Sequence, residues 1–134
     1  MSSVENKQQA QEGYAAFGRG DLAAVLEILT DDVEWVVPGP PEIIPEAGTH
    51  RGKDAVGAWF GSLAENIDIT TFEPREFIAD GDKVACVLYI ESTVRSTGNK
   101  VAQDEVHLWT FRDGKVARFQ VFQDTAAVVA GFGA

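Results

Sequence analysis

A chain of 134 residues, 45% of them hydrophobic, is long enough to bury a core, and we expect one domain spanning residues 1–134. Twenty-one acidic residues against eleven basic ones give a formal net charge of -10, which argues against a nucleic acid partner because phosphate backbones are repelled. One cysteine and two histidines exclude an internal disulfide and a thiolate zinc site, and no apolar run is long enough to span a membrane.

The N-terminal part of the chain is predicted to be helical. Ala10, Tyr14 and Phe17 recur at helical spacing, and the glycines at 18 and 20 end this first helix. Asp21 is a good N-cap for a second helix that runs towards Asp31. Its apolar face consists of Leu22, Val25, Leu26 and Leu29.

A short strand is predicted over 33–37, because this segment is rich in β-branched and aromatic residues and is followed by Pro38. The segment 39–52 contains prolines and glycines without periodicity and is predicted to be a loop. A third helix follows. Its buried face is predicted to consist of Val56, Trp59, Phe60 and Leu63.

After Asn66 the hydrophobic period changes from 3.6 to 2. Four long strands are predicted over 67–79, 83–95, 100–112 and 115–124, separated by turns that contain Gly81, Gly98 and Gly114. Such short turns require antiparallel neighbours, since parallel strands need longer crossovers. The order α-α-β-α-β-β-β-β predicts an α+β fold, with helices on one face of a curved sheet. The tail after Asp124 is expected to form a last short helix.

Strand alternation sorts the side chains of these strands into two faces. On the third long strand, Glu105, His107 and Trp109 share a face. We expect one face of the sheet to combine large rings with titratable groups, namely Tyr89, Glu91, His107, Trp109, Phe122 and Asp124. Apolar walls with a few polar groups are typical of a small-molecule pocket. In the alternative interpretation the rings are core and the acids lie in water at the strand ends.

Several segments carry a resemblance to a known family. They are YAAFGRGDLAAVLEILTDDVEW at 14–35, WVVPG at 35–39, AGTHRGKDAV at 47–56, and FRDGKVAR at 111–118 followed by Asp124. From about residue 6 to 129 the chain resembles the SnoaL-like branch of the nuclear transport factor two-like superfamily. Ketosteroid isomerase, limonene-epoxide hydrolase and the polyketide cyclases are relatives of this branch.

The resemblance implies a cone-shaped α+β barrel in which a strongly curved antiparallel sheet carries three N-terminal helices on its concave face, with a pocket between them. The general-base position of ketosteroid isomerase falls on Val37 and its oxyanion Asp position on His107, so that isomerisation machinery is incomplete here. In SnoaL-like cyclases an acid/base group near the end of the last strand carries the proton, and Asp124 resembles that residue.

These considerations predict that the protein binds a hydrophobic small molecule in an internal pocket. Acid/base chemistry of the cyclase, isomerase, dehydratase or hydrolase type, without a cofactor or metal, is assigned to His107, Asp124 and Glu91. The residues expected to contact the ligand are Tyr14, Phe17, Trp35, Val37, Trp59, Tyr89, Trp109 and Phe122.

Two other functions stay open at this stage. One is a binding module without catalysis, because the fold alone does not fix a function. The other is an association domain that forms a homodimer through the outer face of the sheet, as relatives in this superfamily commonly do. An N-terminus without an apolar signal core predicts a cytoplasmic location and no membrane partner.

Overall fold

The helices begin where the sequence supplies a capping side chain. The computed structural model describes residues 2–134, and in it Ser2 and Glu5 form a capping box in which each side chain accepts the other residue's backbone N–H. Asp21 caps the second helix by accepting from the Ala24 N–H. The helices are α1 (Ser3–Gly18), α2 (Leu22–Glu27), α3 (Lys53–Asn66) and α4 (Thr125–Gly131).

The strands form one six-stranded sheet that is curved and does not close. They are β1 (Leu29–Val37), β2 (Gly48–Arg51), β3 (Ile67–Asp80), β4 (Lys83–Val94), β5 (Lys100–Arg112) and β6 (Lys115–Phe122). Their order in the sheet is β2-β1-β6-β5-β4-β3, and every neighbouring pair is antiparallel except β1 and β6. Register shifts in β3 interrupt its pairing with β4, and such bulges bend and twist a strand.

The hairpin between β5 and β6 shows how a local turn fixes the register. Asp113 and Gly114 both have positive φ, at 51° and 80°, which is the backbone pattern of a type I′ turn. Arg112 and Lys115 therefore face each other across the start of the ladder. Beyond the turn, a register shift between Thr110 and Phe111 moves the pairing by one residue, so that Val121 of β6 pairs with His107.

The predicted α+β architecture and the antiparallel meander of the last four strands are confirmed, as is the short tail helix. Two boundaries in the first half were wrong. The second helix ends at Glu27, and Leu29 begins β1, where it pairs with Val116 of β6. The predicted loop 39–52 contains β2, which pairs with β1. In both cases pairing with a distant strand overrides the local helix or loop pattern.

The core lies between the concave face of the sheet and the helices. α1 packs on β3 and β4, whereas α3 packs on β1, β2 and β3. From β4, the inward side chains are Val84, Cys86, Leu88 and Ile90, all of them buried. The alternate residues of β4, at 85, 87 and 89, point to the outer face and are only half-buried. The candidate site lies on the concave face.

Candidate ligand pocket

A cavity of about 150 Å³ lies between the concave face of the sheet and the helices. A dry, apolar cavity of about this size accepts a benzene-sized molecule. Aromatic side chains make up much of its wall, and they are Tyr14, Phe17, Trp35, Trp59, Phe60, Phe72, Trp109, Phe119 and Phe132. The cavity therefore suits a small molecule with an apolar ring.

Most of the residues predicted to contact a ligand line this cavity. They are Tyr14, Phe17, Trp35, Val37, Trp59 and Trp109, and His107 lies in the same wall. Their positions agree with the predicted pocket, although contact with a ligand stays a prediction. The other four predicted site residues, Tyr89, Phe122, Glu91 and Asp124, are not in the cavity wall.

The predicted mixed face was wrong because its strands were combined in the wrong register. His107 pairs with Cys86 on β4 and with Val121 on β6, so these three side chains share the concave face. Tyr89 and Phe122 consequently lie on the opposite, outer face. Alternation divides each strand into two sets, but only the register decides which set of one strand joins which set of the next.

Glu91 lies on the outer face of the sheet and takes part in a local hydrogen-bonded group. Its carboxylate accepts from the Tyr89 Oη and from the Thr71 Oγ1, each at 2.8 Å. These two hydrogen bonds, led by that of Tyr89, lower the pKa of Glu91. The guanidinium of Arg75 lies 4.8 Å above the Tyr89 ring. The structure thus gives Glu91 and Tyr89 partners on this surface, away from the cavity.

Asp124 is exposed and caps α4. Its Oδ1 accepts from the Ala127 backbone N–H at 3.0 Å, as expected of an N-cap. Its own backbone N–H donates to the Gln103 Oε1 at 2.8 Å. Within residues 2–134, the Asp124 carboxylate therefore makes no hydrogen bond to His107. The backbone N–H of Asp124 is linked to His107 through the side chains of Gln103 and Glu105.

A chain of buried hydrogen bonds joins α1 to β5 in the cavity wall. The Oη of Tyr14 lies 2.8 Å from the His107 Nδ1, and the His107 Nε2 lies 3.0 Å from the Glu105 Oε1. The Trp109 Nε1 donates to the Tyr14 Oη at 2.9 Å, and the Gln103 Nε2 donates to the Glu105 Oε2 at 3.2 Å. His107 is 6% exposed and Glu105 8%. Every member of the chain therefore has a partner away from water.

The donors in this chain assign the protons. The Trp109 N–H can only donate, so the Tyr14 oxygen accepts from it. In the tautomer of neutral His107 that carries its proton on Nε2, the imidazole donates to the Glu105 carboxylate, and its Nδ1 accepts from the Tyr14 phenol. Burial is the main cause that raises the pKa of Tyr14 well above its ordinary value, so the phenol stays protonated at neutral pH.

Aromatic packing holds the imidazole in place. The Phe119 ring contacts His107 edge-on at a centroid distance of 4.7 Å, and it stacks on Trp35 at 3.9 Å. The Trp109 ring meets Phe119 at 5.0 Å. Pairs of this kind add to the stability that area burial supplies, and they restrict the rotamers of the rings. Phe119 and the two hydrogen bonds to Tyr14 and Glu105 together hold the His107 ring in one orientation.

Glu46 is a pocket residue that the sequence did not reveal. It lies between Val37 and β2, lines the cavity and is 4% exposed. Its backbone carbonyl accepts from the Trp59 Nε1 at 3.0 Å and contacts the His50 Nε2 at 2.9 Å. Burial raises the pKa of its carboxyl, against smaller opposite effects of its own backbone, Asn66 and His50. No periodicity marks this segment, so no sequence signal distinguished Glu46 from a surface acid.

Glu105 was also missed as a site residue, although its position in the sequence carried a signal. It is two residues from His107 on the same strand and therefore shares its face. Strand alternation places Glu105 on that face, but the acidic role was predicted for Asp124 and Glu91. Within residues 2–134, no group of three or more His, Cys, Asp or Glu side chains is arranged to hold a metal ion. Nor does this part of the chain contain a helix long and apolar enough to cross a membrane.

A curved, unclosed sheet with helices from the N-terminal part of the chain is the fold of nuclear transport factor two-like proteins. The sequence model of the SnoaL-like domain matches residues 10–119, and the chain belongs to this family. It is 33% identical over 120 residues to the protein Rv0034 of Mycobacterium tuberculosis, covering 89% of this chain and 88% of that one.

Solved structures agree with this assignment. An NTF2-like protein from Burkholderia xenovorans superimposes with a TM-score of 0.89 at 36% identity, covering 98% of both chains. TerC, whose crystal structure was determined after co-crystallization with polyporic acid, superimposes with a TM-score of 0.82 at 29% identity. That superposition covers 97% of this chain and 99% of TerC. These similarities extend over almost the whole chain.

Proposed function

We propose that this protein is a cofactor-independent acid/base enzyme that moves a proton to or from a small, neutral, apolar molecule with a carbonyl or hydroxyl group. The observation that carries the proposal is the buried hydrogen-bonded chain from Tyr14 through His107 to Glu105 in the wall of a mostly apolar cavity. The co-crystallization of TerC with polyporic acid supports a pocket for an organic molecule in this fold.

Tyr14 and His107 can move a proton in either direction. When a ligand loses a proton to the Tyr14 oxygen, the phenol proton of Tyr14 passes to the His107 Nδ1, and an imidazolium forms. In the reverse direction the imidazolium returns that proton to Tyr14 as the phenol protonates the ligand. The Glu105 carboxylate, which accepts from the His107 Nε2, stabilises the positive charge and holds the ring orientation.

Such a proton transfer begins isomerisations, aldol cyclisations and dehydrations alike, so the chemistry covers three of the four reaction types expected from the sequence, hydrolysis being the exception. Asp124 and Glu91 carry no step in this proposal, because both have structural partners away from the cavity. The carboxylate that takes part is instead Glu105, which acts through His107 as a positioning residue.

The test is hydrogen exchange at the acidic carbon of phenylacetone, a neutral one-ring ketone, followed by NMR in D₂O. Wild-type protein is expected to accelerate exchange at the carbon between the ring and the carbonyl, and His107→Gln to lose about 10²-fold or more of that rate. Glu105→Gln is expected to slow exchange as well, whereas Glu91→Gln, the same change on the outer face, leaves it unaltered.

Saturable binding of phenylacetone without any acceleration of exchange would contradict the enzymatic proposal. It would favour the alternative of a binding module that uses the same cavity. Equal exchange rates for the wild-type protein and His107→Gln would likewise remove His107 from the mechanism. The melting temperature of each variant shows whether that variant is folded under the conditions of the exchange measurement.

We further propose that the outer face of the sheet binds a second copy of this chain. Val87, Val106 and Phe122 lie side by side on β4, β5 and β6, and Phe122 is 47% exposed. Ion pairs flank this apolar row on both sides, Glu73 with Arg75 and Glu34 with Arg118. A face that carries an apolar centre and charges of both signs can pair with its own copy about a two-fold axis.

A further inference from the structure

A second set of polar groups in the cavity wall lacks the partners that the first set has. The Oε1 of Glu46 and the Nε1 of Trp35 are both buried, and neither finds a hydrogen-bond partner among residues 2–134. Both residues line the cavity. Burying a polar atom without a partner is costly, and native proteins rarely leave such groups without a reason.

The two groups are complementary to each other in hydrogen bonding. The indole N–H of Trp35 is a donor only, and the carboxyl oxygen of Glu46 is an acceptor. A ligand hydroxyl is the smallest group that satisfies both, because its oxygen accepts from an N–H while its proton is donated to a carboxyl oxygen. The Glu46 carboxyl can accept this hydrogen bond in either state, through a carboxylate oxygen when it is charged or through its carbonyl oxygen when it is neutral.

The backbone around these residues is held in place. The Trp59 Nε1 fixes the Glu46 carbonyl, and Trp35 is stacked on Phe119 at 3.9 Å. Phe119 in turn contacts the His107 ring at 4.7 Å. Trp35 is therefore separated from the proposed proton-transfer chain by one aromatic ring. The groups that face the Glu46 carboxyl, Asn66 and His50, belong to α3 and β2.

We propose that Glu46 and Trp35 form a second polar anchor in the pocket, which binds a hydroxyl group of the ligand. The ligand class is then a neutral, ring-containing molecule with a hydroxyl, separate from the carbonyl or hydroxyl that reacts at Tyr14 and His107. This inference rests on the proposed function in one respect only, since it needs a cavity that takes a small apolar molecule. It does not depend on proton transfer by His107.

The test compares phenol with toluene, which differ by a hydroxyl in place of a methyl group and fit a cavity of this size. If the phenol hydroxyl gave up its hydrogen bonds to water and found no partner in the cavity, phenol would bind about tenfold more weakly than toluene. Wild-type protein is expected to bind phenol at least as tightly as toluene, as measured by NMR titration. In Glu46→Met, which keeps the length of the side chain but removes the acceptor, the ratio shifts towards toluene by about tenfold.

Further variants complete the experiment. Trp35→Phe keeps an aromatic ring on Phe119 but lacks the N–H, and it is expected to shift the ratio in the same direction. Tyr14→Phe removes the phenol hydroxyl of the proton-transfer chain and shows whether the phenol hydroxyl binds there instead, and Glu91→Gln on the outer face is the control that is expected to leave the ratio unchanged. Because Glu46→Met removes an unpartnered buried oxygen, its melting temperature is expected to be no lower than that of the wild-type protein.

Three results would overturn the inference. The first is a preference of wild-type protein for toluene, and the second is a phenol-to-toluene ratio that is the same in Glu46→Met and wild type. The third is a ratio that changes only in Tyr14→Phe, because the hydroxyl would then bind at Tyr14. Binding of neither compound would overturn the anchor together with the proposed pocket, whereas loss of proton exchange in His107→Gln concerns the enzymatic proposal alone.

Discussion

Tyr14 of α1 and His107 of β5 are 93 residues apart in the sequence, yet the phenol oxygen lies 2.8 Å from the imidazole Nδ1. Both side chains are buried, and Trp109 donates to the same phenol oxygen. The first helix is thereby joined to the centre of the sheet by a polar contact in the cavity wall. A change at either residue should therefore affect both stability and the site.

Tyr14→Phe leaves the N–H of Trp109 and the Nδ1 of His107 without their partner. We expect it to lower the free energy of unfolding by about 1–3 kcal/mol near neutral pH.

The pKa of Tyr14 is raised in the folded protein, so the folded state keeps the phenol proton at a pH where the unfolded chain has released it. Stability that is present below the ordinary tyrosine pKa is then lost as the pH rises beyond it.

Urea unfolding at about pH 9 and about pH 11 measures this effect, since the interval contains the ordinary tyrosine pKa. Wild-type protein is expected to lose more stability over the interval than Tyr14→Phe. An equal loss in the two proteins would show that Tyr14 does not titrate differently in the folded and unfolded states.

Glu46→Gln tests the buried carboxyl of the pocket. Burial raises the pKa of Glu46, so the folded protein retains a proton that the unfolded chain releases as the pH rises through the ordinary value. Ionisation therefore reduces stability at higher pH. The difference in melting temperature between Glu46→Gln and wild type is expected to grow in favour of the variant from about pH 4 to about pH 8.

Glu42→Gln is the matched control, because Glu42 lies in the same segment and is exposed. Its melting-temperature difference from wild type is expected to change less over the same interval. A difference for Glu46→Gln that stays constant with pH would mean that its carboxyl ionises in the folded protein as it does in the unfolded chain.

Gly13 and Gly61 are helical glycines in very different surroundings. A Cβ on Gly13 would lie 2.9 Å from the Trp109 Cη2 and 3.1 Å from the Ile28 Cδ1, whereas a Cβ on Gly61 meets nothing within 4 Å. Gly13→Ala is expected to destabilise by about 1–3 kcal/mol, because Trp109 must move. Gly61→Ala is expected to stabilise by about 0.5–1 kcal/mol through its helix propensity.

Chemical denaturation of the two variants checks this pair directly. Displacement of Trp109 should also disturb the hydrogen bond to Tyr14, so Gly13→Ala is expected to reduce proton exchange on phenylacetone. Stabilisation by both substitutions would show that α1 can move away from the sheet without cost.

Leu108→Asp tests the proposed pairing of outer faces. Leu108 lies on this face beside Ala85 and Gln120, and a charge there would have to be buried between two copies. Analytical ultracentrifugation is expected to show a dimer for wild type and a monomer for the variant, with phenylacetone binding retained. A wild-type protein that is monomeric at high micromolar concentration would contradict the second-copy proposal.

The sequence predicted the sheet but not the way its strands combine. The turns at Gly81, Gly98 and Gly114 mark four antiparallel strands, since each turn has chemistry that permits positive φ. The pairing of His107 with Cys86 could not be derived in the same way, because it depends on turn geometry and bulges that alternation does not encode. Without the register, Glu91 and Phe122 were placed on the same face as His107.

The ends of the predicted elements differ where distant strands compete with local patterns. Leu29 continues the apolar face of α2 in the sequence, but in the structure it pairs with Val116 and starts β1. Glu46 shows that burial can also arise where the sequence has no local pattern. Its burial results from the packing of α3, through Trp59, against a segment that has no periodicity of its own. Chemistry within one strand, as with Glu105 and His107, was visible from the sequence.

The most direct test of the account is a double-mutant cycle on proton exchange of phenylacetone with Tyr14→Phe, His107→Gln and the double variant. If the two residues act as one relay, each single variant loses about 10²–10⁴-fold in rate and the double variant is about as slow as the slower single one. Losses that multiply in the double variant would contradict the relay, and so would a wild-type protein that exchanges no faster than buffer.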